Sequence, residues 1–216
     1  MNFKAILCGA ALFASTGVFA QNTQISLGAD VGIPVGDLGD EASLIVGPTL
    51  GVEFPVGTNL GITAQAGYQF VTVVDDAGIV FENRSILLKK FTMIPIQAGL
   101  KYYFVEQQLG FYAHAQAGIH MIAREFDPLT IEVPGFDDIQ IAAREVSSTN
   151  FSWALGIGYQ LENIDVSLRY NAMGPHDLEP NTLDIAGTEL SYSYRSPAYS
   201  YVGIRLAYLF NLGGGE

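Results

Sequence analysis

The feature that most constrains this chain is an alternation of apolar with small or polar residues, repeated in eight segments of about ten residues. A period of two is that of a β-strand, whose successive side chains point to opposite faces. About ten residues is also the length with which a tilted strand crosses a bilayer. We therefore predict eight strands, near 23–34, 43–56, 60–74, 88–104, 109–121, 149–161, 164–173 and 199–210.

The connections between these strands alternate in length. Three are tight turns, at 57–59, 105–108 and 162–163, and four are long, at 35–42, 75–87, 122–148 and 174–198. Short turns at one end and long loops at the other are typical of outer membrane barrels. An even strand number places both termini at the end with the short turns, which faces the periplasm. The predicted fold class is all-β: an eight-stranded antiparallel up-and-down transmembrane β-barrel with short periplasmic turns and long extracellular loops.

The two faces of each predicted strand differ in chemistry. In the sixth strand, bulky Phe151, Trp153, Leu155, Ile157 and Tyr159 alternate with Ser152, Ala154, Gly156, Gly158 and Gln160. A soluble lipocalin-like barrel would hold the bulky face inside and present a heavily charged face to water. Here the second face is small and polar, which suits the crowded lumen of an eight-stranded barrel. We therefore predict that the bulky face contacts lipid.

The composition agrees with export and membrane insertion. Residues 1–20 have one basic residue, an apolar run and a small-residue ending, which predicts a signal peptide, and 21–216 then form one barrel domain. The single cysteine, Cys8, falls in the predicted signal peptide. Hydrophobic residues make up 49% of the chain and charged residues 15%, yet no run of eighteen apolar residues follows the leader. A net charge of −12 argues against nucleic acid as a partner.

Aromatic residues of the bulky face fall near both ends of the predicted strands, with aliphatic residues between them. This distribution predicts two aromatic girdles at the membrane interfaces. The set near the short turns comprises Phe54, Tyr102, Phe104, Phe111, Tyr159, Tyr208 and Phe210, and the set near the long loops comprises Tyr68, Phe70, Phe151, Trp153 and Tyr170.

Six charged residues fall on the predicted inner face, three of each sign. They are Asp30, Glu53 and Asp165 against Lys101, Arg169 and Arg205. Unpaired charges are costly in a narrow lumen, so the balanced set predicts an ion-pair network that plugs the barrel. The alternative is a selectivity ring in a narrow pore.

Other polar groups give weaker indications of chemistry. His114 and His120 share the inner face, where a hydrogen-bonded structural role is favoured over metal binding or proton relay. The pairs Asp75-Asp76, Asp137-Asp138 and His176-Asp177 are reminiscent of the rims of outer membrane proteases, but solvated loop charge or weak contact with divalent ions is the preferred interpretation. A His-x-Ser pair, expected of lipid-modifying barrels, is absent from the sequence. We predict no catalytic residues, no metal and no cofactor.

Two long loops contain strand-like segments around a central turn. Segments 129–133 and 138–142 flank one turn, and 183–185 and 189–194 flank another. We predict hairpins that extend beyond the membrane, so the loops 122–148 and 174–198 are candidate sites for an extracellular partner. Pro48 and Pro95, inside predicted strands, are each expected to mark a bulge or a lost ladder bond.

Two segments carry a family resemblance. Gly32-Ile33-Pro34-Val35-Gly36-Asp37-Leu38 and Ile94-Pro95-Ile96-Gln97-Ala98-Gly99-Leu100-Lys101-Tyr102-Tyr103-Phe104 resemble the outer membrane protein β-barrel domain family of small porin-like, PorT-like proteins, which are eight-stranded OmpA/OmpX-type barrels. The closing segment 201–210 is similar to the last strand that the barrel assembly machinery recognises in such proteins. The resemblance implies the outer membrane as location, with its lipids and that machinery as partners.

The sequence leaves three functions in order of preference. The first is a structural or surface-interaction barrel with a lumen filled by side chains. The second is a narrow passive pore for small solutes. The third is an outer membrane enzyme, either a protease or a lipid-modifying protein.

Overall fold

The computed structural model describes residues 23–74, 78–81, 84–105, 108–126, 129–131, 139–141, 144–175, 177–185, 188–195 and 197–212. The predicted signal peptide lies outside these residues. One five-residue helix, α1, spans Asp37–Glu41. The strands are β1 Gln24–Val35, β2 Ala42–Val56, β3 Leu60–Gly67, β4 Gln69–Val73, β5 Gly78–Phe81, β6 Arg84–Tyr103, β7 Gly110–Phe126, β8 Leu129–Ile131, β9 Ile139–Ile141, β10 Arg144–Gln160, β11 Ile164–Met173, β12 Asp177–Ile185, β13 Thr188–Arg195 and β14 Tyr199–Asn211.

Eight strand positions close into a barrel, in the order β1, β2, β3 with β4, β6, β7, β10, β11 and β14. The barrel closes because β1 pairs along one edge with β2 and along the other with β14, so that Gln24 faces both Glu53 and Asn211. All neighbours are antiparallel, which confirms the predicted fold class. Within the described residues, no helix is long and apolar enough to cross a bilayer.

The structure confirms the two loop hairpins and corrects two loops. β8 pairs with β9 and β12 with β13, as predicted. The loop predicted at 75–87 instead contains β5, which pairs with the first four residues of β6. The loop predicted at 35–42 contains α1. Both were missed because segments of four or five residues are too short to show a period.

Two prolines interrupt the wall at one place. The third predicted strand, 60–74, is divided at Tyr68 into β3 and β4. Pairing of Thr49 with Gly67 places Pro48 opposite Tyr68, whose backbone N donates to the Pro48 carbonyl at 3.0 Å. The β6 pairing is likewise interrupted opposite Pro95, between Ala66 and Gln69. Each proline lacks the N–H that a regular ladder needs, which accounts for the gap.

The two faces are sorted as the alternation predicts. In β10, Leu155 and Ile157 on the outer face are 52% and 59% exposed, whereas Ser152 and Ala154 on the inner face are fully buried. Neighbouring strands of the wall also lie so close together that some inner positions have room only for glycine. A Cβ atom on Gly99 would lie 1.9 Å from the backbone oxygen of Ala115 in β7. The small residues of the inner face therefore permit close strand packing as well as a filled lumen.

Candidate functional site in the barrel interior

The first group of charged side chains lies at the periplasmic end of the lumen, with Lys101 of β6 at its centre. The Lys101 Nζ atom is 3.1 Å from a Glu53 carboxylate oxygen and 2.8 Å from one of Asp165. It also donates to Gln160 Oε1 at 2.6 Å. These side chains are almost fully buried. Because β6 and β11 are separated by β7 and β10, the bond from Lys101 to Asp165 crosses the lumen.

Two tyrosines complete this group. The Tyr103 hydroxyl donates to Glu53 at 2.6 Å, and the Tyr112 hydroxyl donates to Asp165 at 2.9 Å. Lys101 Nζ also lies 4.0 Å from the centre of the Tyr112 ring, a cation–π contact. The sequence prediction missed both tyrosines. Both tyrosines lie at inward positions of their strands, Tyr103 two residues after Lys101 in β6 and Tyr112 in β7. This alternation is the signal that could have identified them.

Arg205 connects the periplasmic group to the barrel wall. Its Nη1 atom is 3.5 Å from Asp165 Oδ1. Its other nitrogens donate to Thr49 Oγ1 at 3.0 Å and to Ser26 Oγ at 2.7 Å. Every carboxylate of the group thus has a cation within 4.0 Å, the arrangement that offsets the desolvation cost of buried charge.

The second charged group lies nearer the middle of the lumen and is centred on Arg169 of β11. Arg169 forms an ion pair with Asp30, and both residues are nearly inaccessible to solvent. The same guanidinium donates to Gln65 Oε1 at 2.9 Å. Gln65 belongs to β3, which stands four strand positions away in a ring of eight, so this bond spans the full width of the barrel. The structure thus brings all six predicted charges inside and divides them into two groups.

A small polar cavity is lined by members of both charged groups. Its volume is about 40 Å³, and His114, Gln116 and Arg169 contribute to its wall. Among the described residues, His114 Nε2, Gln116 Oε1 and Arg169 Nε have no hydrogen-bond partner. A cavity of this size and polarity has room for a few ordered water molecules at most. No group of three metal-ligating side chains occurs in the part of the chain that the structure describes.

The extracellular third of the lumen is apolar, which corrects the expectation of a small and polar inner face throughout. The inward alternation continues there with bulky side chains from six strand positions and from α1. We call this cluster the apolar seal; its members are Leu38, Ala42, Ile45, Val71, Phe91, Met93, Ile122, Met173, Tyr199 and Tyr201. The prediction failed because it extended the composition of the central strand segments to their ends, where the barrel meets its loops.

One ion pair lies beside the apolar seal and connects α1 to the barrel. Arg124 of β7 donates to Glu41 Oε2 of α1 at 2.9 Å and also bonds to the Tyr199 hydroxyl. The Tyr199 hydroxyl donates to Glu41 Oε1 at 2.9 Å. The Arg124 guanidinium stacks 4.7 Å from the centre of the Phe91 ring. We call Glu41, Arg124 and Tyr199 the clasp, and no pattern in the sequence predicted it.

The predicted girdle residues lie on the outer face. All are exposed except Phe54, which is half-buried. Several make edge-on ring contacts, with centroid distances of 4.8 Å for Phe111 and Tyr159 and 4.9 Å for Tyr208 and Phe210. Their role as interface anchors remains a prediction.

Most of the predicted acidic loop residues lie outside the part of the chain that the structure describes. The pairs Asp75-Asp76 and Asp137-Asp138 lie outside the described residues, as does His176. Asp177 begins β12, but its side chain is not among those described. His120 is fully buried and His114 is partly buried, both on the inner face.

The closed barrel, its apolar outer face and its alternation of short turns with long loops define an outer membrane β-barrel protein, located in the bacterial outer membrane. No protein-family model matches the chain, and no curated protein matches it.

Several solved outer membrane proteins are similar in structure at low sequence identity. Ail of Yersinia pestis, in complex with the heparin analogue sucrose octasulfate, is 12% identical at a TM-score of 0.49, covering 88% of this chain and 99% of that chain. OprG from Pseudomonas aeruginosa is 13% identical at a TM-score of 0.49, covering 89% and 97%. AlkL, solved in lipid bilayers, is 17% identical at a TM-score of 0.47, covering 94% and 96%. The closed barrel with its apolar outer face defines the class of this protein.

Proposed function

We propose that this protein is a structural or surface-interaction barrel of the outer membrane, with a lumen plugged by its own side chains. The observation that carries the proposal is the set of direct bonds across the lumen. The Arg169–Gln65 bond joins opposite walls, and the Lys101–Asp165 bond joins walls three strand positions apart. The polar cavity that both charged groups line has a volume of about 40 Å³, room for a few water molecules and far less than a continuous aqueous channel requires.

The surface-interaction part of the proposal is supported by the hairpins in the long loops. β8 pairs with β9, and β12 pairs with β13, each as a two-stranded sheet separate from the barrel. A two-stranded sheet has two edges whose backbone groups are available to an added strand. Such edges recognise extended peptides by β-augmentation, which is how these hairpins would hold an extracellular partner.

A narrow passive pore is the second candidate, and the observation that favours it is the polar cavity between the charged groups. Ion conductance separates the two functions. We expect the purified protein to show no steady openings in planar lipid bilayers, because cross-lumen bonds fill the channel. The matched variant replaces Asp30 and Arg169 by Ser together, which removes one ion pair without changing the net charge. Steady openings of the native protein, altered in this double variant, would establish the pore and overturn the plug.

A deletion tests the surface role. Removing residues 129–142 deletes β8 and β9 while leaving every barrel strand in place. We expect cells that display the shortened protein to lose adhesion to epithelial monolayers or to neighbouring cells, measured as the fraction of bound cells. Equal surface display of the two proteins, measured by surface labelling, is the control. Unchanged adhesion would count against a role for this hairpin.

A further inference from the structure

The connection between β1 and β2 folds inward over the extracellular end of the lumen. It contains Gly36, with φ +61°, followed by α1. Helix α1 contacts β1, β2 and β14, and its Leu38 is fully buried in the apolar seal. Positive φ is readily adopted by glycine, so Gly36 allows the chain to turn sharply from the end of β1 into the mouth of the barrel.

Few interactions hold α1 in this position. A helix of five residues has little stability of its own, and no side chain caps its first turn. Beyond the burial of Leu38, the described bonds to the barrel are the Glu41–Arg124 ion pair, the Tyr199–Glu41 bond and a backbone bond from Val74 N to Glu41 O at 3.1 Å. A segment with so few partners belongs to the least stable parts of a fold and opens locally before the barrel does.

The lumen beneath α1 is polar again. Asn171 is one inward position deeper than Met173 on β11, and it is 1% exposed. Below it is the Arg169–Asp30 pair. Gln69, which pairs with Met93 of the seal, donates to the Tyr201 hydroxyl at 3.0 Å and reaches Asp30 at 3.4 Å. The apolar seal therefore separates the outside medium from a polar interior. Leu38 belongs to α1, whereas the other members of the seal belong to strands of the barrel wall.

We propose that α1 is a hinged lid on the extracellular mouth, closed by Leu38 and held by the clasp. Helix α1 stays tethered to the barrel at both ends, through Gly36 to β1 and through Ala42 to β2, and release of the Glu41–Arg124 bond lets the segment between them lift Leu38 out of the mouth. Water and small polar solutes then enter from outside as far as the Arg169–Asp30 pair, where the charged plug stops them. The lid thus opens and closes a path through the apolar seal to the polar interior below it, while the barrel strands keep their pairing.

Cysteine accessibility tests the lid. The only native cysteine, Cys8, is replaced by Ser, and Asn171→Cys places a thiol at the lower edge of the apolar seal, beside Tyr201. Asn171 is suitable because its side-chain nitrogen has no hydrogen-bond partner among the described residues. A small, membrane-impermeant thiosulfonate reagent is added outside intact cells, and the modification rate of the thiol is measured by mass spectrometry.

If α1 is a lid, the thiol of Asn171→Cys is modified slowly in the protein with native α1. In the Glu41→Gln variant, modification becomes roughly tenfold faster or more, the effect of losing one charge-assisted hydrogen bond from the closed state. The matched control is Asp40→Asn, which removes the same charge from an exposed position of the same helix and leaves the rate unchanged. Leu38→Ala, which removes the side chain that fills the seal, is a second route to the same acceleration.

A deeper reporter separates lid opening from general loosening of the barrel. Ser167→Cys places a thiol on the inner face between the charged groups, where Ser167 is 3% exposed. This thiol stays unmodified in every lid variant if the plug below is intact. Equal acceleration at Ser167→Cys would show that the barrel has loosened, which overturns the proposal. Rapid modification of Asn171→Cys with native α1, or no acceleration in either Glu41→Gln or Leu38→Ala, overturns it as well.

Discussion

Replacing Lys101 by Met lowers the free energy of unfolding by about 3–5 kcal/mol, the cost of leaving buried charge without its partner. Lys101 contacts the carboxylates of Glu53 at 3.1 Å and Asp165 at 2.8 Å, and neither acid is more than 7% exposed. Asp165 keeps Arg205 in the variant, whereas among the described residues Glu53 keeps only the Tyr103 hydroxyl as a partner. The measurement is equilibrium unfolding in urea of the protein inserted in lipid vesicles.

A compensating change distinguishes this electrostatic cost from a loss of packing. The Glu53→Gln change removes the carboxylate that Lys101→Met leaves unpaired, while the amide fills the same volume. We therefore expect the double variant to be more stable than Lys101→Met alone, as a double-mutant cycle would show. If the two costs simply add, Lys101 and Glu53 are not coupled, and the ion-pair network does not stabilise the barrel in the way inferred above.

The barrel was predictable from the sequence because its determinants are local. Each strand carries its own alternation, as β10 does from Phe151 to Gln160. Its main neighbours in the wall follow or precede it closely along the chain, as β11 follows β10. Inward positions could therefore be read strand by strand. The six inner charges were identified in this way, and the structure buries all of them.

The partners across the lumen could not be read in this way. Which inward residue meets which depends on the stagger between strands and on the width of the barrel, and neither is encoded in one strand. The tyrosines that bind Glu53 and Asp165 were overlooked for this reason, although their alternation was correct. The clasp is a clearer case, since Glu41 and Arg124 are 83 residues apart and Glu41 lies in a helix too short to show a period.

Arginine at two equally exposed outer positions is expected to give very different costs. Leu155 is 52% exposed near the middle of β10, and Val105 is 58% exposed in the turn after β6. In a bilayer, arginine on the lipid face costs about 2–4 kcal/mol at the midplane and about 0–1 kcal/mol near the interface. Leu155→Arg therefore lowers the free energy of unfolding in vesicles by several times as much as Val105→Arg.

The pair is informative because the two sites match in exposure and differ in depth. In water, an arginine at either exposed site would meet the same solvent and change stability by a similar small amount. In lipid, position 155 lies between Trp153 and Ile157 near the middle of β10, whereas Val105 lies just beyond Phe104 at the periplasmic end. Repeating the measurement in vesicles of shorter-chain lipid varies the thickness of the bilayer. If the cost of Leu155→Arg depends on depth, it stays large only in bilayers thick enough to cover position 155. Equal costs at the two positions would mean that the bulky face does not contact lipid.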